Sequence, residues 1–225
     1  MREVWYMKIY IMIKRMVDFL LSLLALILLS PLFLIISILI KIDSPGPIFF
    51  KQRRIGKNKK EFLILKFRTM RCDTPKDMPT HLFKNPENFI TKSGKILRST
   101  SLDELPQLIN IIKGEMSIIG PRPALWNQFD LIEERDKYGA NDIIPGLTGW
   151  AQINGRDTIS IEDKAKYDGD YVMNLGFKMD ARVFTKTIGF VLKRVGNVEG
   201  GTGTIEYQQV STTNEPTSTS DTIGQ

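Results

Sequence analysis

Residues 19–40 read FLLSLLALILLSPLFLIISILI, a run of 22 residues without a charged side chain. As one straight helix this run would be about 33 Å long, which is enough to cross the hydrocarbon core of a bilayer. Hydropathy alone therefore predicts one transmembrane helix. Ser30 and Pro31 lie in the middle of the run, however, and a proline at that place removes a backbone donor and bends the helix.

Basic residues flank the apolar run on both sides, and they bear on its path. Lys8, Lys14 and Arg15 precede the run, and Lys51, Arg53, Arg54, Lys57, Lys59 and Lys60 follow it. Loops rich in Lys and Arg stay on the cytoplasmic side of a membrane, and one crossing cannot keep both ends there. We therefore expect residues 1–42 to form a re-entrant membrane helix, broken at Ser30-Pro31, with the Ser30 hydroxyl bonding a freed carbonyl. A proline-kinked single span is the alternative.

Composition limits the chemistry that this chain of 225 residues can perform. It has one cysteine, Cys72, and one histidine, His81, so a disulfide framework and a Cys/His zinc site are excluded. Acid–base and nucleophilic chemistry should therefore fall to carboxylates. Residues 1–72 carry 14 Lys and Arg against 4 Asp and Glu, whereas residues 73–225 carry 17 against 21. Basic residues beside the apolar run indicate anionic lipid or phosphate as a partner. We expect no nucleic-acid partner.

The rest of the chain predicts an α+β fold in which helices dominate. Residues 43–198 form the expected cytoplasmic domain, which begins at the turn-forming cluster 43–47. Apolar stretches at 48–50 and 62–67 flank a polar segment that contains Gly56, a pattern typical of a β-hairpin. Residues 199–225 are rich in Gly, Ser, Thr, Asn and Gln, a composition that predicts a disordered polar tail.

Three helical segments follow from periodicity. Ser101 to Glu104 has the form of a capping box, and the apolar residues after it recur at helical spacing until Gly114. A further helix is expected from Leu125 to Tyr138. Near the end of the domain an apolar stripe comprises Phe184, Ile188, Val191, Leu192 and Val195. This stripe either faces the core or lies on the membrane interface.

Two acidic residues at the start of the helix after Ser101 are the main candidates for chemistry. The unpaired N–H groups and the dipole of a helix start keep the carboxylates of Asp103 and Glu104 ionised, and they favour a phosphate or metal ion nearby. The alternative is that both acids only cap the helix. Arg98 lies upstream, and Arg122 lies between two prolines, which preorder an arginine for bidentate contact with phosphate.

A second candidate region combines turns with hydrogen-bonding side chains. Residues 145–156 read PGLTGWAQINGR, and their glycines, aromatic ring and polar groups are suited to hold a nucleotide or a sugar. Gln152, Asn154 and Arg156 are the polar candidates in this segment. Asp168 supplies another acid, unless it is only a solvated surface residue. The phosphate-binding glycine motifs of P-loop and Rossmann proteins do not occur in the sequence.

Together these segments resemble the bacterial sugar transferase family, the monotopic phosphoglycosyl transferases. The resemblance rests on Ser30-Pro31, on DSPGP at 43–47, on LKFRTM at 65–70, on SLDELPQLINIIKGEMSIIGPRP at 101–123 and on PGLTGWAQINGR at 145–156. These stretches follow one another over most of residues 12–195.

The resemblance implies a reaction and a set of roles. A member of this family transfers a sugar-1-phosphate from a UDP-sugar to undecaprenyl phosphate and releases UMP, at the cytoplasmic face of the bacterial plasma membrane. The transfer is the first membrane step of capsule, exopolysaccharide or glycoprotein glycan assembly. Asp103 would be the nucleophile and a ligand of a required Mg²⁺, with Glu104 as its partner and Arg122 on phosphate. Lys66, Arg98, Arg156 and Asp168 would support the site.

Other functions and partners stay open at this point. A membrane-anchored scaffold for glycan enzymes would depend neither on Asp103 nor on Mg²⁺. A hydrolase of lipid pyrophosphates would form no new lipid-linked product. An N-acetylated amino sugar is the expected donor sugar, with a plain hexose next. Membrane lipids, downstream glycosyltransferases and a second copy of the chain are further candidate partners.

Overall fold

A computed structural model describes residues 2–74, 88–155 and 159–193. In these ranges the helices are α1 (Arg2–Leu28), α2 (Ser30–Asp43), α3 (Lys92–Ser99), α4 (Gln107–Lys113), α5 (Phe129–Asp136), α6 (Trp150–Ile153), α7 (Ile161–Met173) and α8 (Phe177–Lys193). The strands are β1 (Phe49–Ile55), β2 (Glu61–Phe67), β3 (Ser117–Ile119) and β4 (Gly146–Thr148). The mainly helical α+β class is confirmed. His81, Arg156 and the tail at 199–225 lie outside the described residues.

The apolar run is divided between α1 and α2, which meet at the predicted break. No single described helix is long and apolar enough to cross a membrane, whereas the pair, bent by 62°, meets the requirement by length and composition. Pro31 has no N–H to donate to the carbonyl of Ile27. The Ser30 hydroxyl donates to that carbonyl instead, at 2.8 Å, as the sequence predicted.

Both arms of the bent pair are attached to the same folded domain. On α1, the Arg15 guanidinium donates to the Ile111 and Ile112 carbonyls at the end of α4, at 2.5 and 2.9 Å. On α2, Ile36 and Ile40 are buried in a core cluster that includes Phe67 of β2. Leu29, at the bend itself, packs against a second core cluster that contains Ile64 and Ile111.

The predicted β-hairpin is confirmed. Strands β1 and β2 pair antiparallel from Phe49 opposite Phe67 to Ile55 opposite Glu61. Because side chains alternate across a strand, Phe67 faces the α2 cluster while Ile64 packs with the core residues of α4. Lys66 shares the face of Ile64, and this alternation directs it toward the segment that precedes α4.

A second, parallel pairing was not predicted. Strands β3 and β4 have three residues each, and Ser117 lies opposite Gly146. A Cβ atom at Gly146 would overlap the backbone nitrogen of Gly120, so the two segments approach more closely than side chains allow. The pairing brings residues 120–123 next to the segment that begins at Pro145.

Two helix boundaries differ from prediction. The prediction of a capping box at Ser101 is wrong, because Ser101 has a φ of 55° and its side chain makes no capping hydrogen bond. Leu102–Glu104 is instead a 3₁₀ turn, and α4 begins only at Gln107, since Pro106 lacks the N–H that would continue the ladder. Helix α4 ends at Gly114, as predicted.

The other difference concerns α5, which begins at Phe129 rather than Leu125. The Leu125 N–H bonds to the Gln128 side chain at 2.8 Å, and Leu125 forms an isolated β-bridge with Arg54. These contacts hold the backbone outside the helix.

The C-terminal stripe does not face the core where the structure describes it. Met179 and Val183 of α8 are buried, whereas Phe184 and Ile188 are 50% and 43% exposed. The core-facing interpretation is therefore wrong for Phe184 and Ile188. The side chains of Val191 and Leu192, and residue Val195, lie outside the described part.

Candidate active site

The candidate site is centred on the 3₁₀ turn at Leu102–Glu104, here called the acidic turn. Leu102 and Leu105 pack against the core cluster that contains Phe67 and Leu97. This packing fixes the backbone and presents the two acids together. Asp103 is buried, with 5% of its surface exposed.

Two cations from different parts of the chain meet at Glu104. Its Oε1 atom accepts from Lys66 Nζ at 2.8 Å and from Arg122 at 2.8 Å. Lys66 Nζ also lies 3.9 Å from Asp103 Oδ2. Burial opposes ionisation of Glu104, but the nearby charges of Arg122 and Lys66 outweigh it and hold the pKa of this carboxyl well below its usual value. The structure therefore brings four of the predicted site residues together.

Arg122 reaches the acidic turn from a constrained loop. The Gly120 N–H donates to the Thr148 carbonyl and the Gly146 N–H to the Pro121 carbonyl, each at 2.8 Å. Arg54 of β1 donates to the Pro123 carbonyl at 3.0 Å. Bonds on both sides of Arg122 thus limit its movement. Its side chain is 34% exposed, compared with 18% for Glu104, so it is the more accessible member of this pair.

Three further predicted residues, Arg98, Gln152 and Asn154, make hydrogen bonds with residues outside the acidic turn. Arg98 of α3 donates through Nε to the Thr69 hydroxyl at 2.9 Å. Gln152 donates to the Leu147 carbonyl at 3.1 Å, and Asn154 to the Trp150 carbonyl at 2.8 Å. Both amides therefore brace the α6 turn. Their predicted contact with a nucleotide or sugar stays a prediction.

Asp168 is not a solvated surface acid, because it lies in a buried ion pair. Its Oδ2 atom accepts from Nε and a terminal nitrogen of Arg135, at 2.8 and 2.5 Å. The pair joins α5 to α7. Sequence reasoning missed Arg135, although Arg135 lies one turn after Leu131 and both residues are buried on the same helix face. A supporting role of Asp168 in the site stays a prediction.

The acidic turn presents two carboxylates, and carboxylate oxygens are ligands that a divalent cation takes. Among the described residues, no group of three or more His, Cys, Asp or Glu side chains is placed to hold a metal ion. Mg²⁺ does not need such a group, since it often binds one or two carboxylates together with substrate phosphates and water. Two adjacent carboxylates, with Lys66 and Arg122 beside them, fit that mode.

The family follows from a comparison with known proteins. A family model described as bacterial sugar transferase matches residues 9–194. The chain belongs to the bacterial sugar transferase family. The resemblance drawn from the motifs is thereby confirmed, and the acidic turn, Lys66 and Arg122 all fall within the matched region.

Individual members of the family differ in length and in the activity that their names state. An exopolysaccharide production protein ExoY of Sinorhizobium fredii is 40% identical over 189 residues, covering 78% of this chain and 83% of that protein. An Aeromonas hydrophila UDP-N-acetylgalactosamine-undecaprenyl-phosphate N-acetylgalactosaminephosphotransferase is 38% identical, covering 84% of this chain and 45% of the relative. An Escherichia coli UDP-glucose:undecaprenyl-phosphate glucose-1-phosphate transferase is 38% identical, covering 81% and 41%. The chain thus spans less than half of the last two relatives.

Proposed function

We propose that this chain transfers a sugar-1-phosphate from a UDP-sugar to undecaprenyl phosphate and releases UMP, through a covalent intermediate on Asp103. The observation that carries the proposal is the buried Asp103 beside Glu104, Lys66 and Arg122, in a family whose members include named transferases of this kind. Carboxylate and cations are the groups that such a transfer requires.

The reaction brings anions together, so the cations dominate its energetics. Two unit charges about 4 Å apart repel by roughly 4 kcal/mol at an effective dielectric near 20. Arg122 binds the diphosphate of the donor, and Lys66 offsets charge at Asp103. Mg²⁺, held by Asp103 and the substrate phosphates, would supply further positive charge when bound.

Two displacements at one phosphorus atom complete the transfer. A carboxylate oxygen of Asp103 bonds to the sugar-bearing phosphorus, and the bond from that phosphorus to UMP breaks, so that UMP leaves with the electron pair. An oxygen of the lipid phosphate then bonds to the same phosphorus and releases Asp103. The lipid phosphate is already ionised near neutral pH, so no general base is required, in agreement with a single histidine in the chain.

Glu104 has a positioning role in this scheme. Its Oε1 atom bonds both Lys66 and Arg122, and its lowered pKa keeps it ionised and able to hold them. Lys66 bonds Glu104 at 2.8 Å and lies 3.9 Å from Asp103. It can therefore stabilise charge on Asp103 while Glu104 holds it in place.

The proposed location is the cytoplasmic face of the bacterial plasma membrane, with α1 and α2 as a re-entrant segment. Both arms are attached to one domain, which supports a return to the same side. Large apolar side chains are exposed around the bend, at Leu24, Ile27, Leu28, Leu34 and Ile35. Tags at the N-terminus and after Met70 should share one side of the membrane in protease-protection assays. Opposite protection would mean that the pair crosses.

The donor sugar and the glycan pathway are assigned by similarity. The two named relatives act, by their names, on N-acetylgalactosamine and glucose donors, and we place an N-acetylated amino sugar first. Capsule or exopolysaccharide assembly is the proposed pathway. UMP release from a panel of UDP-sugars, with undecaprenyl phosphate as acceptor, ranks the donors directly.

Mass spectrometry tests the covalent step. The membrane-embedded chain is incubated with donor in the absence of lipid acceptor and then digested. The peptide that contains Asp103 should gain the mass of the sugar phosphate and lose it when undecaprenyl phosphate is added. Asp103→Asn is the control and should stay unmodified. An unmodified wild-type peptide in a preparation with proven turnover would exclude the intermediate.

A further inference from the structure

Helix α1 buries an acid on the face that it turns toward the domain. Lys14, Asp18 and Ser22 are spaced by four residues, so they share one side of the helix. Asp18 is 4% exposed and Ser22 is 1% exposed. Burying a carboxylate costs folding free energy unless the carboxylate is hydrogen-bonded. The hydrogen bonds of Asp18 therefore indicate its role.

Both oxygens of Asp18 bind strand β3. The Ser117 hydroxyl donates to Oδ2 at 2.7 Å, and the Ile118 N–H donates to Oδ1 at 3.2 Å. On the opposite edge the Ser117 N–H donates to the Pro145 carbonyl at 2.8 Å. Asp18 thus takes the place that a neighbouring strand would occupy on the second edge of β3.

Strand β3 needs this support because its sheet is small. It has three residues and pairs with one other strand of three residues, and two-stranded sheets of this size are marginal in isolation. The Arg15 side chain, one turn before Asp18, holds the end of α4. Helix α1 therefore braces the elements on both sides of the segment that leads from α4 into β3.

Arg122 follows strand β3 closely along the chain. Only Gly120 and Pro121 separate Ile119 from Arg122. Gly120 packs closely against the segment that leads into β4, since a Cβ atom there would lie 2.7 Å from the Ile144 carbonyl oxygen. Pro121 restricts the backbone further. The position of β3 therefore sets where the Arg122 guanidinium meets Glu104.

We infer that Asp18 is a positioning residue for the transfer reaction, through which helix α1 holds β3 and so places Arg122 against Glu104. This inference rests on the proposed function. It links the segment that lies at the membrane to the geometry of the site, and it gives Asp18 a role in turnover.

A double-mutant cycle tests the inference. Asp18→Ala, Arg122→Lys and the double variant are purified in lipid nanodiscs, and UMP release is measured per folded molecule. A small misplacement of a catalytic group can lower a rate by about 100-fold, so we expect Asp18→Ala to lower kcat/KM by about 10- to 100-fold. In the Arg122→Lys background the same change should have less than about a 3-fold effect, because the placement of the arginine is already lost.

A matched control lies one turn away. Ser22→Ala alters the same buried face, and the Ser22 hydroxyl has no hydrogen-bond partner among the described residues. It should retain wild-type turnover. If Asp18→Ala does not fold, Ser117→Ala, which removes one of the two bonds to Asp18, is placed in the same cycle.

Specific outcomes would overturn the inference. Wild-type turnover by Asp18→Ala would do so, as would an equal loss in both backgrounds, which would mean that Asp18 acts independently of Arg122. A loss in Ser22→Ala equal to that in Asp18→Ala would also do so. Absence of UMP release from the wild-type chain with every donor would instead contradict the proposed function, so the two failures are distinguishable.

Discussion

The acidic turn and the Arg135–Asp168 pair use the same charged groups in different surroundings. Glu104 accepts from two cations that come from separate elements, and Arg122 remains partly exposed. Asp168 accepts from one guanidinium, and both partners are almost fully buried. The first arrangement leaves a cation within reach of a ligand. The second joins two helices and is closed to solvent.

The pKa values of the two carboxyl groups are also shifted in opposite directions. Burial raises the pKa of the Asp168 carboxyl although Arg135 opposes it, and the Oδ1 atom of Asp168 has no hydrogen-bond partner among the described residues. At Glu104 two cations outweigh burial and lower the pKa. Burial opposes ionisation of both carboxyl groups, but Glu104 pairs with two cations and Asp168 with one, and the pKa shifts follow this difference.

The largest expected effect distinguishes the catalytic acid Asp103 from the structural acid Asp168. Asp103→Asn should lower turnover by about 10⁴-fold or more, because the nucleophile is lost, while the melting temperature of the purified protein stays close to that of the wild type. Asp168→Asn should lower the melting temperature and leave turnover per folded molecule within about 10-fold. A severe loss of turnover in a stable Asp168→Asn protein would place Asp168 in the site and remove the contrast.

The next effect concerns the buried pair alone. Arg135→Met leaves the Asp168 carboxylate buried without its cation, and breaking a buried ion pair in this way costs about 3–5 kcal/mol. Denaturant unfolding in detergent measures the loss. The double variant Arg135→Met, Asp168→Leu should recover part of it, because no unpaired charge remains. If the double variant is no more stable than Arg135→Met, the unpaired charge of Asp168 is not the cause of the loss.

A smaller effect is expected at the accessible cation. Arg122→Ala should lower kcat/KM by about 100-fold, the order found when one preorganised electrostatic contact is removed from an active site. Stability should change less than in Arg135→Met, since the Arg122 side chain is 34% exposed and Lys66 still pairs with Glu104. Arg53→Ala provides a control, because Arg53 is an arginine on β1 that pairs with Glu61. Equal losses of kcat/KM in both variants would mean that the net charge of the protein, and not the position of Arg122, causes the effect.

The smallest effect is on the pH dependence of stability. The folded state holds the pKa of Glu104 below the ordinary value of 4.5, so its contribution to stability is present above that value and is lost as the pH falls toward the folded pKa. The stability difference between the wild type and Glu104→Gln should therefore shrink below about pH 4.5. A difference that is independent of pH would mean that Glu104 is not held as an ion.

Some of the site could be predicted from local sequence, and some could not. Asp103, Glu104 and Arg122 lie in motifs with distinctive neighbours and are candidates from local sequence, whereas Lys66 is a candidate only through the family resemblance. The capping box failed at Ser101, because Pro106 shifts the start of α4 beyond the acids. Arg135 was missed, since a buried arginine on an amphipathic helix resembles a solvated one until its partner is known.

The sequence by itself determined the features that depend on neighbouring residues. Pro31 lacks an N–H wherever it stands, so the break in the apolar run follows directly, and Gly114 ends α4 because it accepts a positive φ. Tertiary structure alone decided which charges meet. Lys66 reaches Glu104 across 38 residues, and Asp18 reaches Ser117 across 99. Such contacts depend on how helices and strands pack, and packing is a property of the whole fold rather than of any local pattern.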